Sequence, residues 1–464
     1  MFNNGHRDDI DYVDKEERLT CSVGNVLKAS FPIMLSLLSG NLMHLCARSL
    51  LAHFSLTAMN AAAIAQQMVS IILLPLLCFA TISEVFVGQF NGAKAFRKAS
   101  TPIAQIILFL LVCCCVVCPL SLRFCHVFIP DNLYSIGRPY FSLCMLMVPF
   151  QVIHSGLTSF FVGTCRASIV FYSVLIANTI NITLAFCFIF GIKGIIAPMG
   201  ANGAALAALT STIISSGILL YAFLGRSNAI IYETRTLHFD FAILKKTFSL
   251  GFPFAISHML EMSIWASLVK VLASVSVAEV TIQNICVTLL NFFVFFVDGL
   301  QKGGMALSSN CIGANQNDSI SKLVRSLAKV SACVCLILAI PLLVVPDFAL
   351  RSVFNIVDPA TVAKAKPVFV VLWACLSCIM VSSSCFGGIL NSGGDARFII
   401  LVRISVMISC VAIPAAILHS MGTFSAFKSW SLGVIQQTIN GFCFYLRYRS
   451  GAWNHNLLKF VKDT

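Results

Sequence analysis

The sequence predicts an all-α polytopic membrane protein whose twelve transmembrane helices form two six-helix lobes related by an internal repeat. Hydrophobic residues make up 58% of the 464 residues and charged residues only 11%, against roughly 25% charged in an average soluble domain. The apolar residues fall into twelve stretches, and the two halves of the chain share motifs at one fixed offset. This composition excludes a soluble enzyme, a disordered scaffold and a nucleic-acid-binding protein, because none of them hides so much apolar surface.

Twelve segments are long enough to cross a bilayer, which requires about 20 predominantly apolar residues. They lie near 30–52, 62–88, 102–122, 139–163, 168–190, 201–224, 248–270, 280–304, 326–346, 366–390, 397–419 and 427–447. The polar segments between them are short. The sequence therefore predicts an N-terminal tail at 1–28, a first lobe at 29–224, a linker at 225–247, a second lobe at 248–449 and a C-terminal tail at 450–464.

The distribution of lysine and arginine predicts the orientation in the membrane. With both termini inside, the inner connections hold about three times as many of these residues as the outer ones, as the positive-inside rule describes. The net charge of +13 then marks the cytoplasmic side and requires no nucleic-acid partner. The polar N-terminal tail does not resemble a secretory signal. We expect an integral protein of the cell (inner or plasma) membrane with cytoplasmic termini.

The 20 cysteines lie largely within apolar stretches, where thiols behave as small hydrophobic groups. Cys375 and Cys378 have the spacing of a metal-binding pair, but no second cysteine or histidine pair lies in a plausible loop. We therefore expect neither a disulfide framework nor a structural metal site.

An internal repeat relates the two halves of the chain. Ser30-Phe31-Pro32 opens the first stretch, and Gly251-Phe252-Pro253 lies near the start of the seventh, at an offset of 221 residues. Gly92-Ala93 and Gly313-Ala314 share the same offset. Six spans return the chain to the same side, so the two halves have the same orientation. Parallel repeats of this kind are typical of transporters, which bind their substrates between the halves.

Between about Ser30 and Arg449, the chain resembles the multidrug and toxin extrusion (MATE) family, in its NorM-like branch. The motifs that carry the resemblance are the two Phe-Pro pairs, the two Gly-Ala turns, Asn178-x-x-Asn181, Gly200-Ala201-Asn202-Gly203 and the loop Gly393-Gly394-Asp395. The resemblance implies secondary active efflux of organic, cationic compounds in exchange for Na⁺ or H⁺, by alternating access. It implies no cofactor other than the coupling ion, and we expect a monomer whose partners are a small-molecule substrate and membrane lipid.

The chain departs from the family pattern at its acidic residues. Family members usually carry an aspartate in the first span, where this chain has Arg48, and some carry acids in the tenth span, where it has Ser382-Ser383-Ser384. The resemblance therefore supports the fold more strongly than it supports a particular coupling site.

Glu261 is the first candidate for cation coupling. It lies ten residues beyond Gly251, roughly 15 Å along a helix and therefore near the bilayer centre, where ionisable groups are costly and often functional. His258 precedes it by three residues on the same helix face and could relay its proton. The resemblance implies the same role, because the NorM branch has a coupling glutamate in its seventh span. A Na⁺ ion bound at Glu261 and a carboxyl held only by a packing hydrogen bond are the alternatives.

Asp298 is the second coupling candidate. Asn284, Asn291 and Asp298 recur every seven residues on one face of the eighth span, which predicts a polar face directed at a substrate cleft or at another helix. A local ion pair with Lys302, four residues later, is the alternative explanation for Asp298.

The fourth and fifth spans supply three further candidates for the substrate cleft. Gln151 lies in the fourth span, and Asn178 and Asn181 share one face of the fifth. Hydrogen bonding between neighbouring helices is the alternative role for these amides, because polar side chains commonly join membrane helices.

Two charged residues of the first half also lie within or near spans. Arg48 is a cleft candidate that could contact an acid or an anionic substrate group, or extend to the outer headgroups. Glu84 lies near the inner end of the second span, where we expect an interfacial ion pair with Lys94 or Arg97; a functional role as an intramembrane acid is the alternative.

Two other functional classes remain open. A flippase for lipid-linked precursors, from the same superfamily, tends to have several cationic residues in its cavity. A polytopic membrane enzyme needs a His/Asp or Ser/His cluster near one membrane face, and the nine histidines are scattered. The sequence therefore predicts a transporter rather than an enzyme.

Overall fold

The computed structural model describes residues 21–129, 133–192, 194–195, 197–236, 238–348, 350–351, 354, 358–454 and 457. The first half forms α1 Val23–Phe54, α2 Leu56–Gly92, α3 Thr101–Arg123, α4 Tyr134–Gly163, α5 Ala167–Phe190 and α6 Ala201–Phe223. The second half forms α7 Phe241–Val275, α8 Val277–Gly313, α9 Asn317–Ala339, α10 Pro359–Ile379, α11 Ala396–Met407 and α12 Ala426–Arg449.

Three helices of the second half contain π-helical turns, which elsewhere are frequent near functional sites. A π-helical turn at Ile340–Val344 follows α9. A second one, Met380–Gly387, joins α10 to the short α-helical segment Gly388–Ser392, and a third, Ile408–Ala412, joins α11 to the α-helical segment Ile413–Ser420.

The predicted twelve-helix fold is confirmed. Eleven helices in the described part of the chain are long and apolar enough to cross a membrane. The remaining one, α12, is richer in polar and basic residues, but its Trp430 and Phe444 lie in the hydrophobic core of the second half.

The helices extend beyond the predicted apolar stretches because polar side chains cap them. Asp240 accepts hydrogen bonds from the backbone N–H groups of Ala242 and Ile243, at 2.9 and 3.2 Å, so α7 begins at Phe241 rather than at residue 248. The expected linker 225–247 therefore ends inside a helix. Near the chain's end, Trp453 is buried, so the start of the predicted tail packs onto the bundle.

The internal repeat extends to details of the backbone. Ser55 separates α1 from α2, and Ser276 separates α7 from α8; each is an extended residue whose hydroxyl caps the helix that follows. Lys94 and Asn315, just beyond α2 and α8, both adopt a φ of +56°. Both pairs are 221 residues apart, so the helix starts and ends repeat together with the sequence motifs.

The two lobes meet where α8 packs against α1 and α2 and where α7 packs against α2. Small residues bring these helices close together: a Cβ added to Gly299 would lie 2.3 Å from the Met34 side chain, and one added to Gly303 would lie 2.1 Å from the Ser30 hydroxyl oxygen. Close approach at small residues is the usual basis of helix association in membranes.

Candidate functional site

The lobes touch most closely at the end of the bundle where α2 and α8 finish, which we call the closed end. A Cβ added to Gly92 would lie 2.0 Å from the carbonyl oxygen of Asn310, and one added to Gly313 would lie 2.0 Å from that of Gln89. Only glycine permits this approach, because it has no Cβ. The two contacts are equivalent under the internal repeat, because Gly92 and Gly313, like Gln89 and Asn310, are 221 residues apart. The pseudo-symmetry of the two lobes is therefore preserved at the closed end.

Side-chain hydrogen bonds reinforce the closed end. Asn91 Nδ2 donates to Asn310 Oδ1 at 2.7 Å, and Gln89 Nε2 donates to the backbone oxygen of Ser392 at 2.7 Å. The backbone N–H of Leu457 donates to Gln89 Oε1 at 2.9 Å. The segment that follows α12 therefore takes part in the closure together with both lobes.

The loop between α10 and α11 is anchored beside the closed end. Asp395, 8% exposed, accepts two hydrogen bonds from the Arg447 guanidinium of α12, at 2.6 and 3.2 Å. Gly394 adopts a φ of +77° in the turn before it. The Gly-Gly-Asp motif thus joins α11 to α12 through a bidentate ion pair.

The corresponding loop of the first lobe, between α4 and α5, uses an arginine in place of the aspartate. Arg166 donates to Asn228 Oδ1 at 2.7 Å, and its guanidinium lies over the rings of Tyr232 and two phenylalanines. Burial raises the pKa of Tyr232, so its hydroxyl stays protonated and donates to Asn91 Oδ1 at 2.9 Å. These contacts connect the loop to the closed end.

Glu261 lines a cavity of about 30 Å³ between α7 and α11, together with Ser257, Arg403 and Met407. This volume is sufficient for about one water molecule. His258 interacts electrostatically with both Glu261 and Arg403, so the expected proximity of Glu261 and His258 is present. Arg403 belongs to α11, within the predicted span 397–419, and nothing in the sequence indicates that it faces Glu261.

Asp298 lies on α8 within the electrostatic influence of two cations. It interacts electrostatically with Lys302 of the same helix and with Arg403 of α11. Among the described residues, Asp298 has no ion pair within 4 Å, so the close Asp298–Lys302 pair considered from the sequence is not formed. Glu261 and Asp298 therefore share the field of Arg403.

The rest of the polar face of α8 is open to the surroundings. Asn284 and Asn291 are both exposed, whereas Asp298 is half-buried. Because they share one helix face, this exposure agrees with a face that borders a cleft, and their role in substrate binding stays a prediction.

Among the amides of the first lobe, two form hydrogen bonds between helices. Asn178 Nδ2 donates to the Ser39 hydroxyl of α1 at 2.8 Å, and Asn181 Nδ2 donates to the Ser211 hydroxyl of α6 at 3.1 Å. Gln151 differs, because its buried Oε1 has no hydrogen-bond partner in the described part of the chain. Of the three, only Gln151 has a buried acceptor without a hydrogen-bond partner among the described residues.

Arg48 is exposed near the end of α1 that lies away from the closed end. It interacts electrostatically with His44 and with Tyr140 of α4. This position suits a guanidinium that reaches polar headgroups.

Glu84 occupies a different environment from the one that the sequence predicts. Arg97 pairs with Glu233 at 3.1 Å rather than with Glu84. The Glu84 side chain is instead buried, and the cation in its field is Lys302 of the second lobe. Position along a helix places Glu84 near the membrane interface, but only the packing of α8 reveals that it faces the other lobe.

No group of three His, Cys, Asp or Glu side chains in the described segments is close enough to hold a metal ion. A Na⁺ site at Glu261 would have to use backbone or hydroxyl oxygens as further ligands.

Comparison with known proteins identifies both repeats. The MatE family model matches residues 32–187 and 253–418, and the two matches begin 221 residues apart. The chain is 24% identical over 186 residues to "Probable multidrug resistance protein YoeA" of Bacillus subtilis (strain 168) and 22% identical over 232 residues to "Probable multidrug resistance protein NorM" of Neisseria meningitidis serogroup A. These alignments cover 38% and 49% of this chain and 40% and 50% of the two relatives.

Solved structures share the fold over nearly the whole chain. The eukaryotic MATE transporter AtDTX14 matches with a TM-score of 0.78 at 16% identity, covering 95% of this chain and 98% of that one. A MOP superfamily transporter from Pyrococcus furiosus, described as having a binding pocket of reverse polarity, matches with a TM-score of 0.77 at 17% identity and the same coverages. A mutant of the Vibrio cholerae MATE transporter VcmN gives 0.78 at 14% identity, covering 92% and 96%.

Proposed function

Because this chain belongs to the MatE family, we propose that it is a secondary active efflux transporter that exchanges organic compounds for Na⁺ or H⁺ by alternating access. The observation that carries the proposal is the Glu261 cavity. It provides an ionisable carboxyl near the middle of α7, beside Arg403 of a neighbouring helix and with room for about one water molecule. Ionisable groups at such depth are costly and are typical of ion pathways.

The basic residues around the closed end indicate which side of the membrane it faces. Its connections carry Lys94, Arg97 and Arg166, and Arg397 lies in the first turn of α11, so we place it on the cytoplasmic side by the positive-inside rule. From this placement we infer a state that is shut towards the cytoplasm, from which substrate leaves and which the coupling ion enters at the opposite side.

The cations near the candidate coupling acids bear on how the coupling ion binds. Arg403 and Lys302 lie near the two candidate coupling acids, Glu261 and Asp298. Glu261 and Arg403 line the same cavity but form no ion pair within 4 Å among the described residues. We infer that a cation binding at Glu261 has to overcome repulsion from Arg403. The relatives of this chain carry the names of multidrug resistance proteins, and a structural neighbour is a MATE transporter. Both favour efflux over the flippase alternative.

The test uses the purified protein in proteoliposomes with Na⁺ and pH gradients imposed separately, against a panel of cationic and anionic dyes. Glu261→Gln should reduce gradient-driven dye transport at least tenfold. Asp347→Asn is the matched control, because it also removes one carboxylate but lies in an exposed pair with Lys366. Gradient-driven transport by Glu261→Gln at the wild-type rate would overturn the assignment of Glu261.

A further inference from the structure

Glu84 is the single acidic residue within the six spans of the first lobe. It is 2% exposed, and its Oε1 has no hydrogen-bond partner among the described residues. It lies eight residues before the end of α2, roughly 12 Å into the bundle from the closed end. A buried carboxylate without partners is costly, so its surroundings must supply a cation, water or a proton.

The cation that faces Glu84 belongs to the other lobe. Lys302 of α8 is half-buried and interacts electrostatically with Glu84 and with His154 of α4. The Cys165 thiol, in the loop that follows α4, also lies within the field of Glu84. Asp298 and Arg403 adjoin Lys302 on the side of the second lobe. Glu84 and Lys302 thus interact electrostatically, without an ion pair within 4 Å, across the contact that must open during alternating access.

Other buried polar atoms around this cluster lack partners within the described part of the protein. They are the hydroxyl oxygen of Ser30, which contacts Gly303 beside Lys302, and two acceptors on the His154 face of α4, Gln151 Oε1 and Thr158 Oγ1. Buried polar groups nearly always have partners, and internal water supplies those that protein atoms do not. The cluster therefore has the composition of a hydrated proton path.

We propose that Glu84, with Lys302 and His154, forms a proton-exchange site at the lobe interface that governs opening of the closed end. With Glu84 ionised, its attraction to Lys302 holds α2 against α8. When a proton from the open side reaches Glu84, that attraction is lost and the lobes can separate. Separation exposes Glu84 to the other side, where the carboxyl releases its proton to water. The proposal rests on the transport function above and assigns H⁺ as a coupling ion.

The first experiment measures opening of the closed end directly, without transport. Cys21 and Cys311 are buried there, with their sulfur atoms 3.6 Å apart, so their reaction with a bulky maleimide, resolved by peptide mass spectrometry, reports opening. Labelling of the wild type, corrected for the thiolate fraction, should increase about tenfold on acidification. Glu84→Gln should label rapidly at every pH and lose this response. A wild type whose corrected labelling does not change with pH would overturn the proposal.

The second experiment measures transport and separates this proposal from the proposed function. Glu84→Gln should lose pH-gradient-driven transport at least tenfold while keeping dye counterflow within about twofold, because counterflow needs no net proton movement. If Glu84→Gln does not fold, Lys302→Met replaces it, and the same loss is expected. Asp347→Asn is the control, as before.

The outcomes are distinct. A wild type without any gradient-driven transport contradicts the proposed function. A wild type driven by Na⁺ alone, or a Glu84→Gln protein that transports with the wild-type pH dependence, contradicts only the role of Glu84.

Discussion

Adding one methyl group at Gly92 should force the closed end open. The added Cβ of Gly92→Ala would lie 2.0 Å from the carbonyl oxygen of Asn310. Carbon and carbonyl oxygen atoms touch at about 3.3 Å, so α2 and α8 must separate by more than about 1 Å. The obstructing atom belongs to a helix backbone, which cannot rotate away as a flexible side chain can. Overpacking of this kind costs about 1–3 kcal/mol.

This cost falls only on the state in which the closed end is shut. A bias of about 1–3 kcal/mol changes the ratio of shut to open forms by roughly 5- to 150-fold. Maleimide labelling of Cys21 and Cys311, both buried at the closed end, should accelerate by the same factor. Gly40→Ala is the matched control, because it lies within α1 and nothing approaches its added Cβ within 4 Å.

The repeat supplies a second variant with the same geometry. Gly313→Ala places its Cβ 2.0 Å from the carbonyl oxygen of Gln89 and should have an effect similar to that of Gly92→Ala. The double variant should have less than the summed effect, because one displacement relieves both clashes. Folded Gly92→Ala protein that labels at the rate of Gly40→Ala would refute the reasoning.

Three further outcomes are expected. Arg447→Ala leaves the buried Asp395 carboxylate without its bidentate partner and should destabilise the protein by about 3 kcal/mol, measured by thermal unfolding. Arg447→Lys should lose less stability, and equal losses of stability for the two variants would argue against the bidentate contact. Arg166→Lys removes a guanidinium stacked on three aromatic rings and should cost about 1–2 kcal/mol in the same assay, whereas an unchanged midpoint would contradict it. Copper-phenanthroline oxidation should join Cys21 to Cys311 and stop transport, and a reductant should restore transport. The Cys311→Ser variant should resist this inhibition. Full transport by the crosslinked protein would show that the lobes need not separate at this point.

Local sequence is sufficient to predict the helices and their duplication. Apolar stretches of membrane length predict twelve helices, since a bilayer allows few alternatives. The longer helix ends depend on single capping residues, Ser55, Asp240 and Ser276, which apolar content does not detect.

The candidate site can be predicted only in part. Glu261 and His258 share a helix face by spacing alone, and the structure keeps them together. The sequence indicates no partner for Arg403 and predicts an interfacial ion pair for Glu84, yet both interact with charged groups on other helices. Spacing along one helix defines which residues share a face, but it contains no information about the helix opposite.

By itself, the sequence determined that this protein spans a membrane with two equivalent sets of six helices, because burial of apolar residues and backbone hydrogen bonding in a bilayer are local requirements. Only the tertiary structure decided that Gly92 and Gly313 meet the backbones of opposite repeats, and that Glu84 faces Lys302. Those contacts join residues more than 200 positions apart, and they depend on how two lobes pack together. Close packing at small residues determines that arrangement.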